Sequence, residues 1–268
     1  MTLRPSLHPF TDPFPLRLRS ASSGVTIAIS NRNHQASLPR SIRSALEAVK
    51  RLRQQQIPAE VLVIDLGSQD GSLTMLRQLE AIYFEVGLRV LALPQNITAA
   101  AYHNLALSHS YYQFILFLEV TRALLPENIP LLYQTIQKSH AAALYAPCLT
   151  TTDTVAPLWT ETDPFSPTDF ALPITTTVAL YDRLQLFDSG GFAPDLSQSG
   201  HEDWVVFLRL LASGRKLIFA PLPVGRIYDP PNPTSHEHHQ ERLVYLHQLL
   251  GHSFSQAKLL STYQLNNR

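Results

Sequence analysis

Apolar residues recur in two alternating patterns along the first 150 positions of the chain. Short runs that are apolar at nearly every position predict strands buried on both faces, and they are VTIAIS (25–30), VLVIDL (61–66), RVLALP (89–94), FILFLE (114–119) and ALYAPC (143–148). Between them, apolar residues spaced three and four apart predict helices over 39–56, around Leu73, Leu76 and Leu79, near 98–110 and near 126–139. This alternation predicts an α/β fold with a mostly parallel central sheet flanked by helices.

The regular alternation ends near residue 149. Residues 149–173 are rich in Thr, Asp and Pro and predict a long loop, a type of segment that often binds ligands. The segments that follow are TTTVALYDRLQLF (175–187), the turn DSGGF (188–192), a predicted helix near 201–213, a predicted strand KLIFAP (216–221) and a predicted helix from 236 to about 260. We therefore expect a flexible arm over 1–23, a folded domain over 24–230 and a helical tail over 231–268.

Charge and cysteine content narrow the class of protein. The formal net charge of the 268 residues is zero, which argues against a nucleic-acid partner. The single cysteine rules out an internal disulfide and fits a reducing compartment, and no apolar run approaches the roughly 20 residues that span a bilayer. The N-terminus also lacks the apolar region of a signal peptide, so we expect a cytoplasmic protein. The basic arm could touch an anionic membrane surface, although a solvated tail is the simpler interpretation.

Polar residues stand at the carboxyl ends of the predicted strands, which is where open α/β sheets bind ligands. They are Ser30, Asn31, Arg32 and Asn33 after the first strand, Asp65 and Ser68 after the second, and Glu119 and Thr121 after the fourth. A carboxylate such as Asp65 can accept hydrogen bonds from a nucleobase or a ribose at this edge. Asp65 can instead cap the turn and helix that follow it, and we weigh the binding role above this structural one.

Six segments occur in an order and spacing that resemble the family 2 inverting glycosyltransferases: VTIAISNRN, VLVIDLGSQDGS, QNITAAAYHN, FILFLEVTR, GGF and GHEDWVVFLRLLASGRK. The resemblance covers about residues 24–230 and implies the GT-A fold. It also implies a hexosyltransferase-type enzyme that moves a sugar from a nucleotide-diphospho-sugar, bound by 24–148, to an acceptor hydroxyl bound by 149–230. The acceptor would be a saccharide or a lipid-linked molecule, used in polysaccharide or glycolipid assembly at the inner face of the plasma membrane.

The resemblance also implies roles for individual residues. Asp203 would be the general base, with Glu202 beside it, although both acids could simply stabilise the start of their helix. Residues that would bind the nucleotide-sugar are Ser30, Asn31, Asn33, Asp65, Ser68, Asn96, Glu119, Thr121 and Arg122. Residues that would bind the acceptor are Gly190, Gly191, Phe192 and Trp204.

One departure from the family pattern bears on the cofactor. Where the family has an Asp-x-Asp motif that holds a divalent cation, this chain has Glu119 and Thr121, followed by Arg122. Glu119 could still bind Mg²⁺ or Mn²⁺ weakly with a ligand from the cluster His236, Glu237, His238 and His239, which is more simply a solvated helix start. Alternatively, Arg122 could replace the metal by contacting the diphosphate directly.

Two further functions stay open at the level of sequence. The donor site could have been lost, leaving a non-catalytic relative that binds a nucleotide, a glycan or a partner protein. A sugar-phosphate nucleotidyltransferase would need a glycine-rich, basic loop after the first strand, and SNRNHQASLP contains no glycine.

Overall fold

A computed structural model describes residues 21–94, 97–154, 177–192 and 202–228. The strands are β1 (Ser22–Asn31), β2 (Ala59–Leu66), β3 (Leu88–Leu93), β4 (Tyr112–Glu119), β5 (Arg122–Leu124), β6 (Ala143–Leu149), β7 (Thr177–Asp182), β8 (Leu217–Phe219) and β9 (Gly225–Ile227). The helices are α1 (Leu38–Gln54), α2 (Ser72–Tyr83), α3 (Ala99–His109), α4 (Ile129–Ser139), α5 (Arg183–Asp188) and α6 (Glu202–Ala212), with a 3₁₀ turn at Pro126–Asn128.

All nine of these strands join one sheet. Their order is β3-β2-β1-β4-β7-β6-β9-β5, and β8 pairs with β6 beside this path. Strands β3, β2, β1 and β4 run parallel to one another, whereas β7 runs antiparallel between β4 and β6. The predicted α/β fold with a mostly parallel central sheet is therefore confirmed.

Both faces of the sheet are covered, as the continuous apolar runs predicted. Ile27 and Ile29 belong to a core that includes residues of α1 and α4, whereas Ala28 belongs to a second core that includes residues of α3 and α6. Successive side chains of a strand point to opposite faces, so a run buried on both faces must be apolar throughout.

The strand register brings the polar strand ends together. Asn31 at the end of β1 pairs with Asp65 of β2, and Ser30 pairs with Glu119 of β4. Three parallel strands therefore present polar side chains side by side at one edge of the sheet. We call this the carboxyl edge.

The opposite edge of the sheet contains a buried charge. Glu60 is 3% exposed; its Oε1 accepts hydrogen bonds from Thr26 Oγ1 and the Tyr111 N–H, both at 2.8 Å, and its Oε2 accepts from Arg89 Nε at 2.7 Å. The buried guanidinium of Arg183 also interacts with the charge of Glu60. A buried carboxylate needs such partners because it has lost its hydration, so this edge contributes to stability.

Three parts of the sequence prediction need correction or lie outside the described residues. Segment 175–187 is two elements, because Asp182 ends β7 and its Oδ1 caps α5 by accepting from the Gln185 N–H at 3.0 Å. The sequence did not indicate β5 and β9, which have only three residues each. Ser22 and Ser23 of the predicted arm belong to β1, whereas residues 1–20, the tail helix and most of the loop over 149–173 lie outside the described residues.

No helix in the part of the chain that the structure describes is long and apolar enough to cross a membrane.

Candidate active site

The ends of β1 and β2 form a hydrogen-bonded cluster of Asn31, Asn33, Asp65 and Ser68, which we call the β1–β2 rim. Asn31 Nδ2 donates to Asp65 Oδ1 at 2.8 Å and to Ser68 Oγ at 3.0 Å. Ser68 donates from Oγ to Asp65 Oδ1 at 2.6 Å and from its backbone N–H to Asp65 Oδ2 at 3.0 Å. The Asn33 N–H donates to Ser68 Oγ, which ties the loop after β1 to the loop after β2.

These bonds change the role expected of Asp65. Its side chain is 0% exposed and both carboxylate oxygens accept hydrogen bonds from the protein. A nucleoside therefore finds no accessible carboxylate oxygen on Asp65 in this structure. Asp65 shapes the rim through Asn31 and Ser68, which is close to the capping role that the sequence prediction ranked second.

The end of β4 carries an ion pair. Arg122 Nη2 lies 2.7 Å from Glu119 Oε1, and Val120 and Thr121 form the turn between them. The Arg122 side chain is only 6% exposed, whereas that of Glu119 is 60% exposed. Arg122 also hydrogen-bonds to the Cys148 thiol, whose pKa burial raises to about 11. Arg122 is thus a buried cation fixed at the carboxyl edge.

Asp203, in the first turn of α6, interacts electrostatically with this ion pair. Burial raises the pKa of the Asp203 carboxyl, while the positive charge of Arg122 and a hydrogen bond from Tyr181 oppose that rise. Protein atoms around the Glu119 carboxyl reduce its hydration, which raises its pKa. The charge of Arg122 opposes this rise, and the charge of Asp203 adds to it. The structure therefore brings together Glu119, Arg122 and Asp203, three residues that the sequence analysis selected separately.

Two tyrosines that the sequence analysis did not select also face this cluster. The Tyr181 hydroxyl donates to Asp203 Oδ1 at 3.5 Å. The buried Tyr102 hydroxyl hydrogen-bonds to Ser30, which is half-buried; burial raises the pKa of Tyr102, and so do the charges of Asp203 and Glu119. Both tyrosines lie in apolar segments of the sequence. What could have indicated a role for them is that a buried tyrosine hydroxyl needs a hydrogen-bond partner.

The Gly-Gly-Phe turn has a structural role in this molecule. Gly190 and Gly191 adopt φ values of 97° and 62°, which favour glycine. Phe192 is 1% exposed, its ring stacks on His103 at a centroid distance of 4.2 Å, and its backbone N–H and carbonyl bond to the Asn104 side chain at 3.0 and 2.8 Å. The Phe192 ring therefore belongs to the core beneath α3, and its contact with an acceptor stays a prediction.

Some predicted site residues cannot be located. Asn96, the side chains of Glu202 and Trp204, and the cluster at 236–239 lie outside the described residues. Thr121 is half-buried in the turn before Arg122. Across the residues that are described, no three His, Cys, Asp or Glu side chains lie close enough to share a metal ion.

Comparisons with known proteins agree with this architecture. The family model described as glycosyl transferase family 2 matches residues 26–193. A search among curated proteins found no match. The fold is similar to S. aureus TarS 1-349, at 18% identity and a TM-score of 0.65 over 91% of this chain and 71% of that chain. TarS 1-349 in complex with UDP-GlcNAc gives 16% identity and a TM-score of 0.66 over the same shares.

A third solved structure shares the fold. It is the mannosyltransferase PcManGT from Pyrobaculum calidifontis in complex with GDP-Man and Mn²⁺, at 15% identity and a TM-score of 0.61 over 94% of this chain and 77% of that chain. At these identities the likeness concerns the fold.

Proposed function

Because the chain belongs to glycosyl transferase family 2, we propose that it transfers a sugar from a nucleotide-diphospho-sugar to an acceptor hydroxyl with inversion, and that Asp203 is the general base. The observation that carries this proposal is the half-buried Asp203 carboxylate, which interacts electrostatically with Arg122 and Glu119 at the carboxyl edge of the sheet. Ligands of α/β sheets bind at this edge.

Inverting sugar transfer requires a carboxylate that can take the proton of the acceptor hydroxyl. Asp203 takes the proton of the acceptor hydroxyl while the hydroxyl oxygen bonds to the anomeric carbon from the face opposite the leaving group. The bond between that carbon and the diphosphate breaks, and the nucleoside diphosphate leaves with the electron pair. A raised pKa makes Asp203 a stronger base than an ordinary aspartate, while Arg122 and the helix N-terminus favour its ionised form.

Structural neighbours support a nucleotide-diphospho-sugar as donor. TarS 1-349 was solved with UDP-GlcNAc and with UDP, and PcManGT with GDP-Man. In this chain the β1–β2 rim is the proposed nucleoside site, with Asn31 and Ser68 held by Asp65. The sugar and its diphosphate would then extend along the carboxyl edge toward Glu119 and Arg122.

We expect Asp65→Ala to weaken nucleoside diphosphate binding by about 1–3 kcal/mol, because Asn31 and the Ser68 N–H would lose their acceptor. Isothermal titration calorimetry with UDP and GDP measures this loss. Asp70→Ala is the matched control, because Asp70 holds the same loop through the N–H groups of Gln35 and Ser72 but lies farther along the chain. Equal affinity of wild type and Asp65→Ala would place the nucleoside elsewhere.

The described residues do not fit the usual metal site of this family. Glu119 is the carboxylate at the end of β4, and Arg122 already neutralises it at 2.7 Å. A divalent cation is compatible with the fold, as the Mn²⁺ of PcManGT indicates, but a single paired carboxylate is a poor anchor for a hard cation. We therefore propose that Arg122 supplies much of the positive charge that the diphosphate needs.

The experiment that tests the proposed function is a binding and turnover screen of nucleotide-sugars in EDTA and in Mn²⁺. We expect a nucleoside diphosphate to bind in EDTA and Mn²⁺ to tighten it little. Arg122→Ala should weaken binding of the diphosphate far more than binding of the free nucleoside. Binding that requires Mn²⁺ and ignores Arg122 would restore a metal-dependent site, and no binding in either buffer would favour a non-catalytic relative.

A further inference from the structure

Tyr181 lies on a rigid part of the sheet. It belongs to β7, which is paired on both sides, and it pairs with Ile115 of β4 and Ala143 of β6. Its side chain is 1% exposed. Its ring lies edge-on to Tyr145 at 6.0 Å and within 6.1 to 6.3 Å of Phe117 and Phe192. Close packing of this kind fixes the direction in which the hydroxyl points.

That hydroxyl points at one oxygen of Asp203. It donates to Oδ1 at 3.5 Å, which is long for an O–H···O hydrogen bond. Burial raises the pKa of Tyr181 well above that of an ordinary tyrosine, so the hydroxyl keeps its proton and remains a donor at every pH at which a carboxylate acts as a base.

We propose that Tyr181 is a positioning residue for Asp203: its hydroxyl holds Oδ1 and orients Oδ2 toward the acceptor hydroxyl. The inference rests on the proposed role of Asp203 as general base. A donor fixed by the sheet restricts rotation of the carboxylate, which is a requirement for a base that must lie within hydrogen-bond reach of one proton. The same bond stabilises the ionised carboxylate relative to the neutral acid.

The other titratable groups that face Asp203 have different effects. They are Arg122 from β5, Glu119 from β4, Tyr102 from α3 and Tyr145 from β6. The guanidinium favours the ionised carboxylate, and the Glu119 charge disfavours it. The charge of Asp203 raises the pKa of Tyr102 and of Tyr145. No hydrogen bond joins either tyrosine to Asp203 within the described part of the chain. Tyr181 thus orients the Asp203 carboxylate, whereas Arg122 supplies the charge that stabilises its ionised form.

The test is the pH dependence of sugar transfer in Tyr181→Phe, which removes the hydroxyl and keeps the ring. Losing a donor to the carboxylate raises the pKa of Asp203, so the acid limb of kcat/KM should move up by about half to one pH unit. Transfer should fall about three- to tenfold on that limb, with donor KM unchanged. Tyr133→Phe is the matched control, since it removes a tyrosine hydroxyl that bonds to Ser23 in the core on the other face of the sheet, and its acid limb should not move.

A second variant should shift the acid limb of kcat/KM in the opposite direction. Site-specific 3-fluorotyrosine at position 181 is a more acidic donor that preserves the packing, so it should move the acid limb to lower pH. ¹³C NMR titration of the Asp203 carboxyl, assigned by its loss in Asp203→Asn, reports the same shifts without substrate or turnover. Equal Asp203 titration in wild type, Tyr181→Phe and the fluorotyrosine protein would overturn the inference. If Asp203→Asn kept full activity, the general base would be wrong, and the NMR titration would still decide the Tyr181 contact.

Discussion

Replacing Asp203 by Asn should lower the turnover of sugar transfer by about 10²-fold or more while leaving donor binding intact. The amide keeps the shape of the side chain and can still accept from Tyr181, but it cannot take a proton from the acceptor. Steady-state kinetics gives the turnover, and calorimetry with the nucleoside diphosphate gives donor affinity. Parallel losses of both would mean that the substitution damages the site as a whole.

Two companion measurements separate chemistry from folding. Glu202→Gln changes the neighbouring acid, so a larger loss in that variant would move the base to Glu202. Asp203→Asn should also be at least as stable as wild type at neutral pH. Because the folded-state pKa of Asp203 is raised above its unfolded value, its ionisation opposes folding as pH rises through that range. A neutral amide removes this cost, although it also removes a partner of Arg122.

Replacing Glu60 by Ala should lower the free energy of unfolding by about 3–5 kcal/mol, because Arg89 loses its ion-pair partner and Arg183 loses one of the carboxylates that favour its charged form. Urea unfolding followed by circular dichroism measures the change. Since Glu60 lies at the edge of the sheet opposite Asp203, turnover per folded molecule should stay the same.

The control for Glu60 is Glu47→Ala. Glu47 pairs with Lys50 at 3.3 Å and with Arg51 at 3.7 Å, but its side chain is 41% exposed. Solvent screens such pairs, so the expected loss is below about 1 kcal/mol. Similar losses in the two variants would show that the buried network adds nothing beyond a surface ion pair.

Strands β1 to β4 and β6 and the helices between them could be predicted from sequence because each of these strands contains a run of mostly apolar residues. The three-residue strands β5 and β9 give no such pattern, and their pairing depends on contacts about 100 residues apart. Asp203 and Arg122 could be selected one at a time, but their proximity depends on how β7 and α6 pack. The burial of Asp65 and Phe192 could not be predicted either, because their hydrogen-bond partners are distant in the sequence.

The order of synthesis and the order of the sheet differ in this chain. Strand β6 leaves the ribosome before β7, yet it reaches β4 only through β7, and β5 acquires its neighbour only when β9 has been made. A nascent chain that ends before residue 177 therefore exposes the unpaired edge of β4, which is a template for aggregation. Chains truncated there should be more easily proteolysed and should recruit chaperones. The buried guanidinium of Arg122 would be fixed only at the last stage of folding.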